Sequence, residues 1–338
     1  MTEGGPAGSA GPGLQGEPQT DILIPFRLER ANLRGRAVRL GPAIDAILSR
    51  HDYPPPVADL LGEALALAAV LAGTLKYDGI FTLQVKGDGP VGMLVCDVTS
   101  DGDLRGYAEV DEAAYAALGA AAPDGPVPRH LGAGHLAFTV DQGPDMERYQ
   151  GIVDLAGATL TECAQHYFRQ SEQVETLLRL GVGRPDGRRW QASALMIQRV
   201  PMTGGVGGGA LGGGGAPAAD DSGHADEDRR EDDWRRLAML LGTVRNAEAL
   251  APDVDPLRLL HRLFHADGVR VFEPQALRDR CRCSDDRAEN ALRMLDADEL
   301  ADMTIDGTVT VACQFCSRVR RYDEAALAAL RAGLGAAA

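Results

Sequence analysis

A chain of 338 residues with 45% hydrophobic content can bury a sizeable core and hold more than one folded unit. Its formal net charge of −15 opposes a nucleic-acid partner, because such binding uses Lys and Arg to displace counterions from phosphates. Six cysteines, four of them in close pairs, fit a reducing compartment where thiols stay available to a metal better than a secreted disulfide framework.

Residues 1–20 are rich in Gly, Pro and Ala, with no basic start and no apolar run, so they read as a disordered tail and not as a signal peptide. A cytoplasmic location is expected. The longest apolar stretch, 57–75, has about the length of a membrane span but contains Asp59, Gly62, Glu63 and Gly73, which predicts a buried helix and no membrane association. Pro54, Pro55 and Pro56 suit its start, and Lys76 is placed at its end, where the helix dipole favours a cation. A shorter helix is expected at 42–49.

From Gly79 the period changes. The runs 80–86, 91–98 and 104–110 alternate or are β-branched, and the turns Gly87-Asp88-Gly89-Pro90 and Ser100-Asp101-Gly102-Asp103 separate them, which predicts an antiparallel meander. Strands at 136–140 and 149–155, a helix at 160–172 and a strand at 192–200 follow. Because strands and helices are grouped and do not alternate, the fold class is α+β over residues 21–202: an antiparallel sheet with packed helices.

Composition then shifts. Nine of the twelve residues at 204–215 are glycine, and an acidic tract runs over 220–233, so residues 203–268 read as a linker that starts as a flexible coil. Within it, Leu237, Leu240, Leu241 and Val244 fall at helical spacing, and Asp255-Pro256 opens a second helix toward Ala266 with Gly268 beyond. The apolar faces of these helices need cover, from the first domain or from a partner.

Residues 269–325 form the expected C-terminal module, followed by a tail at 326–338. Cys281 and Cys283 make a Cys-x-Cys pair, and Cys313 and Cys316 a Cys-x-x-Cys pair. Ser284 is placed to cap a helix carrying Ala288, Leu292 and Leu295, and 308–312 reads as a strand entered through the Asp306-Gly307 turn. One helix-borne and one strand-borne knuckle can face a single Zn2+ with four thiolate ligands. Structural zinc contributes about 10 to 16 kcal/mol, against about 5 to 15 kcal/mol for the stability of a whole domain. Oxidising the ligands should therefore unfold such a module, so the site reads either as structural or as a redox sensor.

Other groups carry plainer readings. Cys96 and Cys163 read as buried, inert thiols. His261 and His265 lack the glutamate of the zinc-protease motif and read as packing or surface residues. The glycine-rich segments lack a Gly-Lys-Ser/Thr ending, and no nucleophile, base and orienting acid stand out, so no enzyme is expected. A zinc-ribbon nucleic-acid binder is the main alternative, but the module holds nine arginines against twelve Asp or Glu, a net of −3. A thiol oxidoreductase would need a parallel βαβ setting for its Cys-x-x-Cys, which is missing.

Over residues 27–325 the chain resembles the 33 kDa chaperonin family of redox-regulated holdases. The resemblance is carried by Arg34-Gly35 with Val38-Arg39, Leu75-Lys76-Tyr77-Asp78-Gly79, Gln84-Val85-Lys86-Gly87-Asp88-Gly89-Pro90 and Arg105-Gly106. Glu147-Arg148-Tyr149-Gln150-Gly151, Tyr167-Phe168-Arg169-Gln170-Ser171-Glu172-Gln173 and Arg262-Leu263-Phe264-His265 follow in order, and then Cys281-Arg282-Cys283-Ser284 and Cys313-Gln314-Phe315-Cys316. It implies a reduced, inactive form that holds one zinc through Cys281, Cys283, Cys313 and Cys316. Oxidant would pair Cys281 with Cys283 and Cys313 with Cys316, expel the metal and unfold the linker to expose an apolar surface for unfolding clients, with dimerisation on activation. The glycine-rich and acidic insertion and the long N-terminal extension depart from the family, and the insertion predicts an easily released linker.

Overall fold

The N-terminal strands are apolar on both faces, and this organises the molecule. In this computed structural model, residues 19–119, 124–143, 146, 148–199 and 223–335 are described. The first half runs β1 (Ile22–Leu28), β2 (Leu33–Leu40), α1 (Pro42–Leu48), α2 (Pro55–Ala72), β3 (Ile80–Gly87), β4 (Val91–Thr99), β5 (Asp103–Val110) and α3 (Glu112–Ala116). It continues through β6 (Gly134–Asp141), β7 (Tyr149–Asp154), α4 (Leu160–Tyr167), β8 (Thr176–Gly183) and β9 (Gln191–Arg199). The meander, the later strands and the helix starting at Leu160 follow the sequence pattern. That helix passes into a π-type turn over Phe168–Glu172.

Strands β1, β2 and β8 are not anticipated from the sequence. In β2 the arginines Arg34, Arg36 and Arg39 interrupt the apolar alternation, yet all three lie on a central strand between β1 and β9. The first sheet thus has the order β1-β2-β9-β8, and the second has the order β5-β4-β3-β6-β7, with all of these neighbours antiparallel.

Helix α2 fills the space between the two sheets. One cluster joins Leu60, Leu61, Leu65 and Leu67 to Val38, Leu180 and Met196 of the first sheet and to Phe81, Leu83, Leu94 and Leu104 of the second. By length and apolarity α2 could cross a membrane, but 78% of it is buried inside the protein, as expected of a core helix. Gly106 allows this approach: a Cβ there would lie 2.8 Å from a Leu65 methyl. The cation at the end of α2 is not Lys76. The helix stops at Ala72, and the Arg36 Nε donates to the Gly73 carbonyl at 2.5 Å, so a guanidinium from β2 meets the negative end of the dipole.

The other face of the first sheet is covered by α5 (Gly223–Gly242), α6 (Asn246–Ala249) and α7 (Pro256–Phe264). Leu237, Leu241, Val244, Leu260, Leu263 and Phe264 pack on Ile24, Phe26, Leu28, Ala37, Leu195 and Ile197, with the Phe26 and Phe264 rings stacked 6.2 Å apart. Buried Arg39 reaches up from the sheet and donates to the carbonyls of Ala249, Leu250 (2.7 Å) and Ala251 (2.8 Å), closing the end of α6. Asp255 caps α7 through the Leu257 amide at 2.7 Å, and Gly268 takes the left-handed conformation, both as the sequence predicts.

The tail at 1–18, the glycine tract and residues 220–222 lie outside the described residues. The remainder of the acidic tract differs from expectation: residues 223–233 form the first half of α5. Near its end, Glu231 pairs with Arg235 (3.3 Å) and with Arg199 on β9 (2.7 Å), and Asp233 with Arg236 (3.0 Å). Such pairs offset the repulsion that composition alone suggests.

Glu63 is the odd group in α2. Burial, with Asp59 one turn away, pushes its carboxyl up to about 7, and Oε2 has no hydrogen-bond partner. The unfolded chain releases this proton near pH 4.5 while the folded chain keeps it, so Glu63 lowers stability as pH rises from 4.5 to 7. Glu63→Gln should therefore stabilise the protein at pH 8 by about 2 to 3 kcal/mol and leave it nearly unchanged at pH 4.5, as read from denaturant melts. Equal effects at both pH values would refute this account.

Candidate metal centre

Before the chain reaches the cysteines it returns to the core. The strands β10 (Val269–Val271) and β11 (Gln275–Ala276) pair antiparallel with β1, and β12 (Arg278–Asp279) runs parallel beside β5. The start of the segment assigned to the module on composition thus adds strands to both core sheets. The cysteine module proper comprises α8 (Asp285–Arg293), α9 (Ala297–Asp302), a sheet of β13 (Thr304–Ile305), β14 (Thr308–Ala312) and β15 (Val319–Asp323), and α10 (Glu324–Gly335).

Local chemistry explains these elements. The Ser284 hydroxyl accepts the Arg287 amide at 3.2 Å and caps α8, and Asp296 with Glu299 forms a capping box on α9. Asp306 and Gly307 both have positive φ, +49° and +72°, as a tight hairpin requires. Only Leu292, Leu300, Val309 and Tyr322 are buried among the described residues of this module, with Ala326, Leu327 and Leu330 of α10 leaning on them. The stretch expected to be a tail from 326 therefore contributes a packed helix, because its leucines recur at helical spacing.

The two knuckles meet as expected. Cys281 Sγ lies 3.7 Å from Cys313 Sγ, Cys283 Sγ lies 3.4 Å from Cys316 Sγ, and all four sulfurs fall within 4.8 Å of one another. Tetrahedral zinc with Zn–S bonds near 2.3 Å places its sulfurs about 3.8 Å apart, so the set fits the ion. The second knuckle is shaped by the Ser317 amide donating to the Cys313 carbonyl at 2.8 Å, with Ser317 left-handed at +56°.

Arginines surround the sulfurs. Both Nη atoms of Arg320 lie 3.8 Å from Cys283 Sγ while its Nε holds Asp285 at 2.5 Å, and Arg105 Nη1 lies 4.0 Å from Cys281 Sγ. Burial alone would raise the Cys283 thiol, but hydrogen bonds from Cys316, Arg320, Cys281 and Cys313 outweigh it and bring it down to about 7. Cys316 moves the other way, to about 12, through burial and the hydrogen bonds of the other three sulfurs. A metal bound by such a set would displace the thiol protons.

Neither remaining cysteine joins the site. Cys96 is fully buried in β4 and Cys163 lies inside α4, both with thiols pushed up by burial. His261 and His265 stack on one another, 5.5 Å between centroids, and His265 Nδ1 faces the His261 carbonyl. The sequence gives no cue to Arg320 as a partner of the sulfurs. For Arg105 the single signal is the Arg105-Gly106 motif.

Fold and site together define an α+β protein whose linker helices lead into a C-terminal cluster of four cysteines positioned to hold a metal ion. Residues 21–323 match the model of the Hsp33 protein family. The chain is 40% identical over 309 residues to a 33 kDa chaperonin of Caulobacter vibrioides, covering 90% of this chain and 95% of that one. It is 38% identical over 322 residues to a 33 kDa chaperonin of Pseudomonas fluorescens, covering 94% and 96%. The crystal structure of the 33 kDa chaperonin from Thermotoga maritima superposes with a TM-score of 0.71 at 22% identity, covering 94% of this chain and 99% of that one, a likeness of fold. The chain belongs to the Hsp33 family of chaperones.

Replacing one ligand should break the centre. Cys313→Ser is expected to lose tight metal binding while the core stays folded. Metal content by plasma emission and the unchanged circular dichroism of the β-sheets are the measurements. Full metal retention by the variant would remove Cys313 from the ligand set.

Proposed function

We propose that the protein is a redox-gated holdase: reduced and zinc-bound it is inactive, and oxidised it binds unfolding proteins and prevents their aggregation. The observation that carries this reading is the outer face of the first sheet, where Ile24, Phe26, Leu28, Ala37, Leu195 and Ile197 are buried by linker helices leading into the metal module. An apolar face of this kind, once uncovered, suits the exposed apolar segments of unfolding proteins.

Bound Zn2+ would supply the closure that joins the two knuckles, held by Cys281, Cys283, Cys313 and Cys316. The module's four buried side chains are too few to keep it folded alone, since small domains depend on staples. Two peroxide molecules would take two electrons from each pair of thiolates and, with four protons, become four waters, leaving two disulfides and the free ion. The pairs Cys281 with Cys283 and Cys313 with Cys316 are what the family resemblance implies, and bonds within a knuckle would leave the two knuckles free to part. A cytoplasmic setting and dimerisation on activation complete the reading and rest on the family resemblance.

Treating zinc-loaded protein with peroxide should release one zinc per chain to a chromogenic chelator and in parallel suppress light scattering by a thermally unfolding client. Zinc release with no client protection would leave a structural site and overturn the reading. Uncovering the sheet by mutation should bypass the oxidant. Phe264→Ala removes a fully buried ring worth about 3 to 5 kcal/mol from the linker contact and should give client protection while the cysteines remain reduced.

A further inference from the structure

Asp97 on β4 is buried, and it holds more charge than its own sheet supplies. Its Oδ1 accepts the Thr82 hydroxyl at 2.7 Å. Its Oδ2 accepts Arg105 of β5 through Nε at 2.7 Å and Nη2 at 2.6 Å, and Arg282 through Nη2 at 2.6 Å. Arg282 is the residue between Cys281 and Cys283, so a core carboxylate grips the first knuckle at its centre. Arg105 grips the second: its guanidinium lies 3.9 Å over the Phe315 ring, beside Cys316, and Tyr107 flanks the same ring at 6.1 Å.

We propose that Asp97 and Arg105 form a core-side latch that positions both cysteine knuckles and so sets how firmly the reduced protein keeps its metal. They are positioning residues, since neither is a ligand. One carboxylate oxygen shared by two guanidinia leaves a net positive charge, which faces the sulfurs through Arg105 at 4.0 Å from Cys281. The anionic tetrathiolate balances that charge. Docking therefore favours the assembled site, and by linkage the assembled site favours docking. Removing Arg282 leaves Asp97 with a single cation, and removing Asp97 leaves two half-buried guanidinia facing one another, the costlier loss of the two.

The latch deepens the proposed function and rests on it only where oxidant is used. The test uses full-length, reduced, zinc-loaded protein. Zinc transfer to a chelator without oxidant should be faster in Asp97→Asn and in Arg282→Ala by about 5- to 150-fold, the range of ordinary coupling between sites, with Arg282→Lys in between. Amide exchange at 281–283 and 313–316 should rise in the same order. Arg282→Ala lies on the module side, so its effect is free of any folding defect in the core sheet, and the double variant should be no worse than Asp97→Asn alone. Parental zinc transfer in Arg282→Ala, or effects of the two substitutions that simply add, would overturn the latch. A lower core melting temperature in Asp97→Asn with unchanged zinc transfer would reduce the pair to a salt bridge of the sheet. If the parent protein keeps its zinc under peroxide, the redox reading fails while the chelator comparison still decides the latch.

Discussion

A four-strand core with apolar side chains on both faces cannot stand in water with one face covered. Leu23, Val38, Leu180 and Met196 turn toward α2, while Ile24, Phe26, Leu195 and Ile197 turn away from it. The second set is covered by α5 to α7, and the Phe26–Phe264 stack and the reach of Arg39 to three carbonyls register that cover on the sheet. The stability of the C-terminal half and the exposure of the sheet are thus one quantity seen from two sides.

The module beyond the linker inverts the usual relation between core and site. In most domains a hydrophobic core holds the functional groups in place. Here four buried side chains are joined by four sulfurs, which with a metal bound would be the stronger closure. Charge is arranged to suit. Arg320 is steadied by Asp285 and Arg105 by Asp97, so both of these cations near the sulfurs have a carboxylate behind them. An anionic centre so surrounded is held without drawing the arginines into solvent.

Much of this was legible in the residues. The four cysteines, the Ser284 cap, the Asp306-Gly307 hairpin and the apolar run of α2 are local signals, each set by a few neighbouring side chains. The hidden part is non-local. β2 does not read as a strand because its arginines serve the ends of other elements: Arg36 closes α2 and Arg39 closes α6, and neither partner is near in sequence. Residues 223–233 look like a solvated acidic run until Arg199 on β9 is seen beside Glu231. Arg282 looks like a spacer between two ligands, and its meaning lies 185 residues away at Asp97.

The linker is pinned at both ends to the same sheet, since β9 stops at Arg199 beside β2 and β10 begins at Val269 beside β1. Letting it go opens a loop and does not create a loose arm. A loop so anchored stays at high local concentration over the face it has left, because doubling its length adds only about 0.6 kcal/mol to closing it again. A guest on that face would share the surface with an internal rival that never diffuses away. Under the proposed function, restoring the thiols would give the rival its clasp again, and eviction of the guest would follow from the topology.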